Sequence, residues 1–285
     1  MTAATRSKNV LEWPSDHRFY LTIDFECDYG TALPENRYQA LDRVDRLVEL
    51  LSRHEIPVTA FVQTEVLDRR PGTVVALQEA PFPVEFHPHS HTHGTRSEVS
   101  IAEEIITSTD RFEDFFGDSP AGYRFPNGNV RSADYELLSE AGYEFDASVF
   151  PSWRPGHFDN SATPTTPYHI EDHGLLEIPF TVLSDRFRIP TALSYCRLGG
   201  RPLTKWLTTD PPSTVVFNIH MHDLFNPQSF ERLPRRYQAI YARNANGFET
   251  LERVLSAFSE SRFVFDQLGS VNTDLALSVA STMGL

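Results

Sequence analysis

Lysine is almost missing from this chain: Lys8 and Lys205 are the only two among 285 residues. Arginine supplies the rest of the positive charge, yet 25 basic residues still face 39 acidic ones, for a net charge of −14. So little positive charge argues against a nucleic-acid or anionic-membrane surface, because both need stripes of Lys and Arg against phosphate. Cysteine is as scarce, and Cys27 and Cys196 cannot make a disulfide framework. No apolar run approaches the roughly 20 residues that span a bilayer. Met1 to Pro14 lacks the apolar core of a secretion signal, so cytoplasmic residence is the expectation. No Gly-x-Gly-x-x-Gly follows the first strand pattern, which removes the usual signature of a dinucleotide site. No repeat and no domain-sized linker interrupts the chain.

What is present is an alternation of short strands and helices. Arg18 to Ile23 is a β-branched and aromatic run, hence a buried strand, and it ends at the acidic cluster Asp24, Glu26 and Asp28. Leu41, Val44, Leu47, Val48 and Leu51 fall at helical spacing. Val58 to Val62 and Val84 to Phe86 read as strands, with a helical fragment at Val74 to Leu77 between them. Ser100 and Glu103 have capping-box spacing ahead of a helix through Phe116. Gly122 to Phe125, Tyr143 to Phe145, Leu175 to Ile178 and Thr214 to Ile219 continue the strand series, with a helix over Ser132 to Ala141. Phe150 to His173 has no period and reads as a long loop. Phe230 to Ser259 reads as a long helical region, interrupted around Asn244 to Gly247, with a last strand at Phe263 to Phe265. This pattern predicts a parallel sheet covered by helices, closed into a distorted (β/α) barrel, with an open doubly wound sheet as the alternative. The domain would run over residues 17–268, between a polar arm at 1–16 and a tail at 269–285.

Polar clusters follow the apolar strands, at the edge where barrel enzymes build their sites. Four histidines, His87, His89, His91 and His93, crowd seven positions just after the third strand. Neutral imidazole is a common ligand for zinc and similar cations, so a metal site is the first expectation. His89 with His93, or His87 with His91, would converge on one helical turn, whereas an extended loop would bring i, i+2 pairs together. Asp24, Glu26 and Asp28 point the same way on an extended chain, and carboxylates so placed favour a cation between them. The bland alternatives are a solvated acidic strand end and an exposed His-rich loop.

Five short segments in order resemble the motifs of the polysaccharide deacetylases, the NodB-like domain of carbohydrate esterase family 4. They are Leu21-Thr22-Ile23-Asp24-Phe25-Glu26, His89-Ser90-His91-Thr92-His93, Arg124-Phe125-Pro126-Asn127-Gly128, Gly142 to Ser148, and Ile219-His220-Met221-His222-Asp223. The resemblance spans residues 18 to about 268 and implies a distorted barrel of the NodB-like type. It selects His89 and His93 as metal ligands and Asp24 as catalytic base. The family's first motif usually has two adjacent aspartates, base then ligand, but Phe25 follows Asp24 here. Glu26 would then be the acidic ligand, with Asp28 as the alternative.

The implied chemistry is hydrolysis of an N-acetyl group with the help of a divalent metal, zinc first, with cobalt, manganese or nickel as alternatives. Arg124 would orient Asp24 and keep it ionised. His220, or His222, would protonate the leaving amine, with Asp223 or Asp146 holding the imidazolium. Asn127 or the backbone after Asp146 would support the oxyanion, and Trp153 would stack on sugar. Expected substrates are an acetylated amino sugar, a glycan precursor or a sugar-bearing metabolite. The alternatives are amide hydrolysis on a small non-sugar (cyclic) substrate and a silent carbohydrate-binding protein. The oligomeric state is left open.

Overall fold

The computed structural model describes residues 9–154, 158–242 and 246–283. In chain order the first elements are β1 (Asn9–Val10), β2 (Arg18–Phe25), α1 (Val44–Ser52), β3 (Val58–Val62), α2 (Glu65–Arg69), α3 (Pro71–Gln78) and β4 (Val84–Pro88). Then come α4 (Ile101–Phe116), β5 (Gly122–Tyr123), α5 (Asp134–Glu140), β6 (Phe145–Asp146), β7 (Trp153–Arg154), β8 (Phe158–Asp159), β9 (Tyr168–Ile170) and β10 (Leu175–Glu177). The chain closes with α6 (Leu193–Thr209), β11 (Thr214–His220), α7 (Arg235–Tyr241), α8 (Gly247–Ser259), β12 (Val264–Asp266) and α9 (Ser270–Met283).

Strands β11, β2, β3 and β4 lie side by side and all parallel. β12 pairs with Arg18–Tyr20 at the start of β2, while β3 pairs with Thr22–Phe25 further along. A second sheet runs β1-β9-β10-β6-β5, in which β10, β6 and β5 are parallel and β9 and β1 antiparallel. The two sheets are stitched at both seams. Arg124 N donates to Pro88 O at 3.2 Å on one side, and Asn218 N donates to Thr191 O at 3.2 Å on the other. The result is the distorted (β/α) barrel expected from the strand–helix alternation.

Period-two alternation explains which side chains look inward. On β2, Phe19, Leu21, Ile23 and Phe25 join the large core under the helices, together with Val215, Phe217 and Ile219 of β11 and Leu47, Leu51, Leu251 and Leu255 of α1 and α8. The alternate residues Tyr20, Phe61 and Val216 belong instead to the inner cluster with Phe145, Ile178 and Phe180. Continuing that inner series towards the strand ends gives Thr22 and Asp24 on β2 and Asn218 and His220 on β11. The register pairs them, Thr22 with Asn218 and Asp24 with His220. A polar end to an otherwise apolar interior is thus built into two strands.

Some segments differ from expectation. Asn9 and Val10, in the segment read as a loose arm, pair with β9, and Leu11 and Trp13 pack on the inner cluster. Val271 and Leu275 of α9 are buried in that same cluster, so the expected tail is seated as well. The aperiodic loop holds the β7–β8 hairpin and β9. The long helical region past Phe230 is divided into a 3-10 turn (Gln228–Arg232), α7 and α8, and Asn244 and Ala245 lie outside the described residues. Helix α6 was not foreseen; Gly199, Gly200 and Pro202 disfavour a continuous helix, and the chain kinks there, with Gly200 at φ 63°. Among the described residues no helix is long and apolar enough to cross a membrane.

Candidate active site

Asp24 and Glu26 leave the end of β2 two residues apart and face different partners. Glu26 Oε2 lies 3.1 Å from His89 Nε2 and 2.7 Å from His93 Nε2, and all three residues are buried. The two imidazoles converge by a turn, not by the helical turn that their four-residue spacing allowed. β4 ends at Pro88, and Ser90 and His93 then take left-handed conformations, φ 62° and 61°. Glu104 of α4 fixes the turn: its carboxylate accepts from His91 N and Thr92 N, both at 2.8 Å, and from Thr92 Oγ1 at 2.5 Å. Ser100 Oγ accepts from Glu103 N at the start of α4, as the capping-box spacing predicted. On the other side Gly30, at φ +50°, lies so close that a Cβ there would stand 2.8 Å from His93 Cε1. No residue with a side chain fits that approach without displacing the ring.

The other two histidines of the run turn away. His87 is buried against Phe145, accepts from Gly122 N at 3.2 Å, and is pushed down to about 3 by burial and the Arg124 charge. His91 Nδ1 lies 3.0 Å from Thr64 Oγ1. Asp28 also departs from the acidic set. The extended strand stops at Phe25, so alternation no longer aims Asp28 inward. Its carboxylate accepts from Gln39 N (3.1 Å), Ala40 N (2.7 Å) and Ser229 Oγ (2.6 Å), tying together the loops beneath the site. The Asp28 alternative for the acidic ligand is therefore not brought to the cluster.

Asp24 stands beside this group and is held by others. Its Oδ1 accepts from Arg124 Nη1 at 2.7 Å, its Oδ2 accepts from Asn218 Nδ2 at 3.1 Å, and His220 Nε2 lies 3.3 Å from Oδ2. Burial alone would raise the Asp24 pKa, but the Arg124 charge, with His89 and His220, outweighs it and holds the carboxyl well below its usual range. Arg124 is 2% exposed. It also donates from Nε to Ala147 O at 2.8 Å and lies over the rings of Phe61 and Phe180. Its Nη1 reaches Thr22 Oγ1 and Asn218 Oδ1 at 3.1 and 2.9 Å. Asn218 was missed in the sequence reading, although a lone amide at an inward position of an apolar strand was the available signal.

His220 is the last residue of β11, and its Nδ1 is 2.8 Å from Asp223 Oδ2. Burial disfavours its charge, yet Asp223 and Asp24 raise its pKa well above the ordinary value. Of the two acids expected to hold the imidazolium, Asp223 is the one in contact. Asp146 is instead buried against Glu177, its parallel register partner, and accepts from Ser148 Oγ at 2.6 Å. Burial pushes Asp146 up to about 6, and Glu177 is driven well above its usual range by burial and by Asp146. His222 stacks on His220 and accepts at Nδ1 from Tyr29 N at 3.2 Å. Burial and His220 lower its pKa, the wrong direction for an acid. Asn127, with φ 57°, and Trp153, 64% exposed, sit at the wall and lip of a cavity of about 420 Å³ above the cluster.

The donor set suits a divalent ion. Glu26, His89 and His93 each offer a ligand atom within 4.8 Å of the others. His89 Nδ1 is 2.8 Å from Arg124 O, which leaves Nε2 as the presented atom. Two imidazoles and one carboxylate are a borderline-hard set of the kind zinc, cobalt, manganese and nickel accept.

Residues 16–145 match the family described as polysaccharide deacetylase. That match covers just under half of the chain. No curated protein sequence matches the chain. Among solved structures, one assigned to the polysaccharide deacetylases from Mycobacterium smegmatis is similar over 95% of this chain and 94% of its own, at TM-score 0.60 and 15% identity. Another so assigned, from Pseudomonas aeruginosa, is similar over 93% of each chain at TM-score 0.60 and 16% identity. The Puue allantoinase is similar over 92% of this chain and 90% of its own, at TM-score 0.55 and 14% identity. At these identities the likeness is one of fold. The polysaccharide deacetylase match covers β2 and the His89–His93 turn but ends before β11, so His220 and Asp223 stand on geometry alone.

Proposed function

We propose that this protein is a metal-dependent hydrolase that removes N-acetyl groups from an amino-sugar-containing substrate. The observation that carries the reading is Asp24, a carboxylate kept out of the Glu26–His89–His93 group yet adjoining it, with His220 Nε2 3.3 Å from its Oδ2. Glu26, His89 and His93 would hold the ion, zinc being the first choice. Once bound, such an ion polarises an amide carbonyl and makes water acidic enough to attack near neutral pH.

The chain's own residues divide the proton work. Asp24 accepts the proton of the attacking water through Oδ2, the oxygen that Arg124 Nη1 leaves free and Asn218 orients. His220, charged through its contact with Asp223, gives its Nε2 proton to the departing amine so that the C–N bond breaks to a neutral leaving group. Asn127, which lines the cavity, would support the oxyanion. Arg124 keeps Asp24 ionised and oriented, and Trp153 offers a face to substrate.

Acetate release from N-acetylated sugars by metal-loaded wild type and Asp24→Asn tests this. Loss of a general base lowers the rate roughly 10²- to 10⁴-fold. Release unchanged by the substitution removes Asp24 from the role. The fold shared with the allantoinase favours a second reading, opening of a small cyclic amide, which allantoin as substrate in the same assay distinguishes.

A further inference from the structure

The cavity above the candidate cluster changes character with height. Its floor is the polar group already described, but large apolar side chains enter the lining further out. Phe150 stacks on Phe180 with centroids 3.8 Å apart, and Phe158 of the β7–β8 hairpin stacks on Phe150 at 5.9 Å, making a layered aromatic side. Facing it, α6 and α7 contribute Leu198 and Ile240, and the hairpin contributes Trp153. These last three are 46%, 43% and 64% exposed, large apolar side chains that line the same cavity.

Such an opening suits a bare sugar poorly. A monosaccharide presents hydroxyls all round its ring, and each hydroxyl withdrawn from water needs a hydrogen-bond partner. Aromatic faces serve the C–H side of a sugar, but Leu198 and Ile240 offer neither a flat face nor a donor. Among the described lining residues above the floor, the side chains able to hydrogen-bond a hydroxyl are Asn127, Arg154 and Ser194 together with the phenols of Tyr29, Tyr195 and Tyr241. Isolated exposed apolar residues need no explanation, but convergent ones round a pocket mark a binding surface.

We propose that the substrate of this site is amphiphilic: an N-acetylated amine or amino sugar whose leaving part carries an alkyl or aryl group, seated against Leu198, Ile240 and Trp153. The proposal rests on the N-deacetylase reading for the reacting end and adds the chemistry of the other end. The acetamide reaches the polar floor while the apolar group stays at the lip, covering side chains that otherwise face water.

Calorimetric binding to the metal-loaded Asp24→Asn protein tests the pocket without turnover, using octyl N-acetyl-β-glucosaminide and free N-acetylglucosamine as probes. Burying several methylenes makes the octyl glycoside at least roughly tenfold tighter, and Leu198→Ser with Ile240→Ser removes most of that difference. Equal affinities for the two probes, a difference untouched by the double substitution, or no binding of either would overturn the proposal. Acetate release by the wild type is read in parallel. Tight octyl-glycoside binding without release refutes the deacetylase reading and leaves the apolar seat; release with equal affinities does the reverse.

Discussion

Arg124 Nη1 donates to Asp24 Oδ1 across 2.7 Å, and neither side chain reaches solvent to any extent, at 2% and 7% exposure. A buried pair of this kind adds little net stability, but removing one partner strands the other charge. Arg124→Leu should therefore destabilise the fold by about 3–5 kcal/mol. Adding Asp24→Asn should recover part of that loss, because the stranded carboxylate is then neutral. Denaturant unfolding of the single and double variants measures both; a double variant no more stable than Arg124→Leu would show that the pair is not coupled.

Glu104 predicts an effect at a distance from the ligands. Its three contacts hold the turn that brings His93 back towards His89. Glu104→Ala leaves two backbone N–H groups without an acceptor, a destabilisation of about 1–3 kcal/mol. Metal affinity should fall roughly 10- to 100-fold, as it does when groups supporting metal ligands are lost. Competition with a chelator reads the affinity directly, and an unchanged value would mean that the turn forms without its clamp.

The Asp146–Glu177 pair sets a pH dependence of stability. Both carboxyls have folded-state pKa values raised by burial, Asp146 to about 6 and Glu177 well above its usual range. Groups raised on folding bind protons more tightly in the native state. Their contribution is complete below the unfolded pKa of about 4 and is lost as pH rises through about 6 and beyond. Thermal unfolding of the wild type should lose stability from about pH 4 to pH 6, and Asp146→Asn should flatten that decline. Parallel curves for the two proteins would place the titration elsewhere.

The barrel was legible because β2, β3 and β11 are runs dominated by β-branched and aromatic residues that end at polar residues. The site was legible in kind more than in geometry. Four histidines spaced two apart give alternation no means of choosing a pair, and the choice is made by left-handed Ser90 and His93 with Glu104 from α4. Asp28 was indistinguishable from Glu26 in sequence because both follow the end of β2 at Phe25, and only the loop beyond it turns Asp28 towards Gln39, Ala40 and Ser229. Asn218 sat unremarked within an apolar strand. Helix α6, which supplies Leu198 to the cavity wall, was not foreseen; Gly199-Gly200 and Pro202 disfavour a continuous helix, and the chain kinks there.

The central claim is a division of labour between Asp24 and the Glu26–His89–His93 group, and metal stoichiometry after loading and dialysis tests it most directly. Wild type and Asp24→Asn should each retain one divalent ion per chain, and His89→Ala should retain none. An ion held stoichiometrically by His89→Ala, or lost on Asp24→Asn, would contradict the assignment.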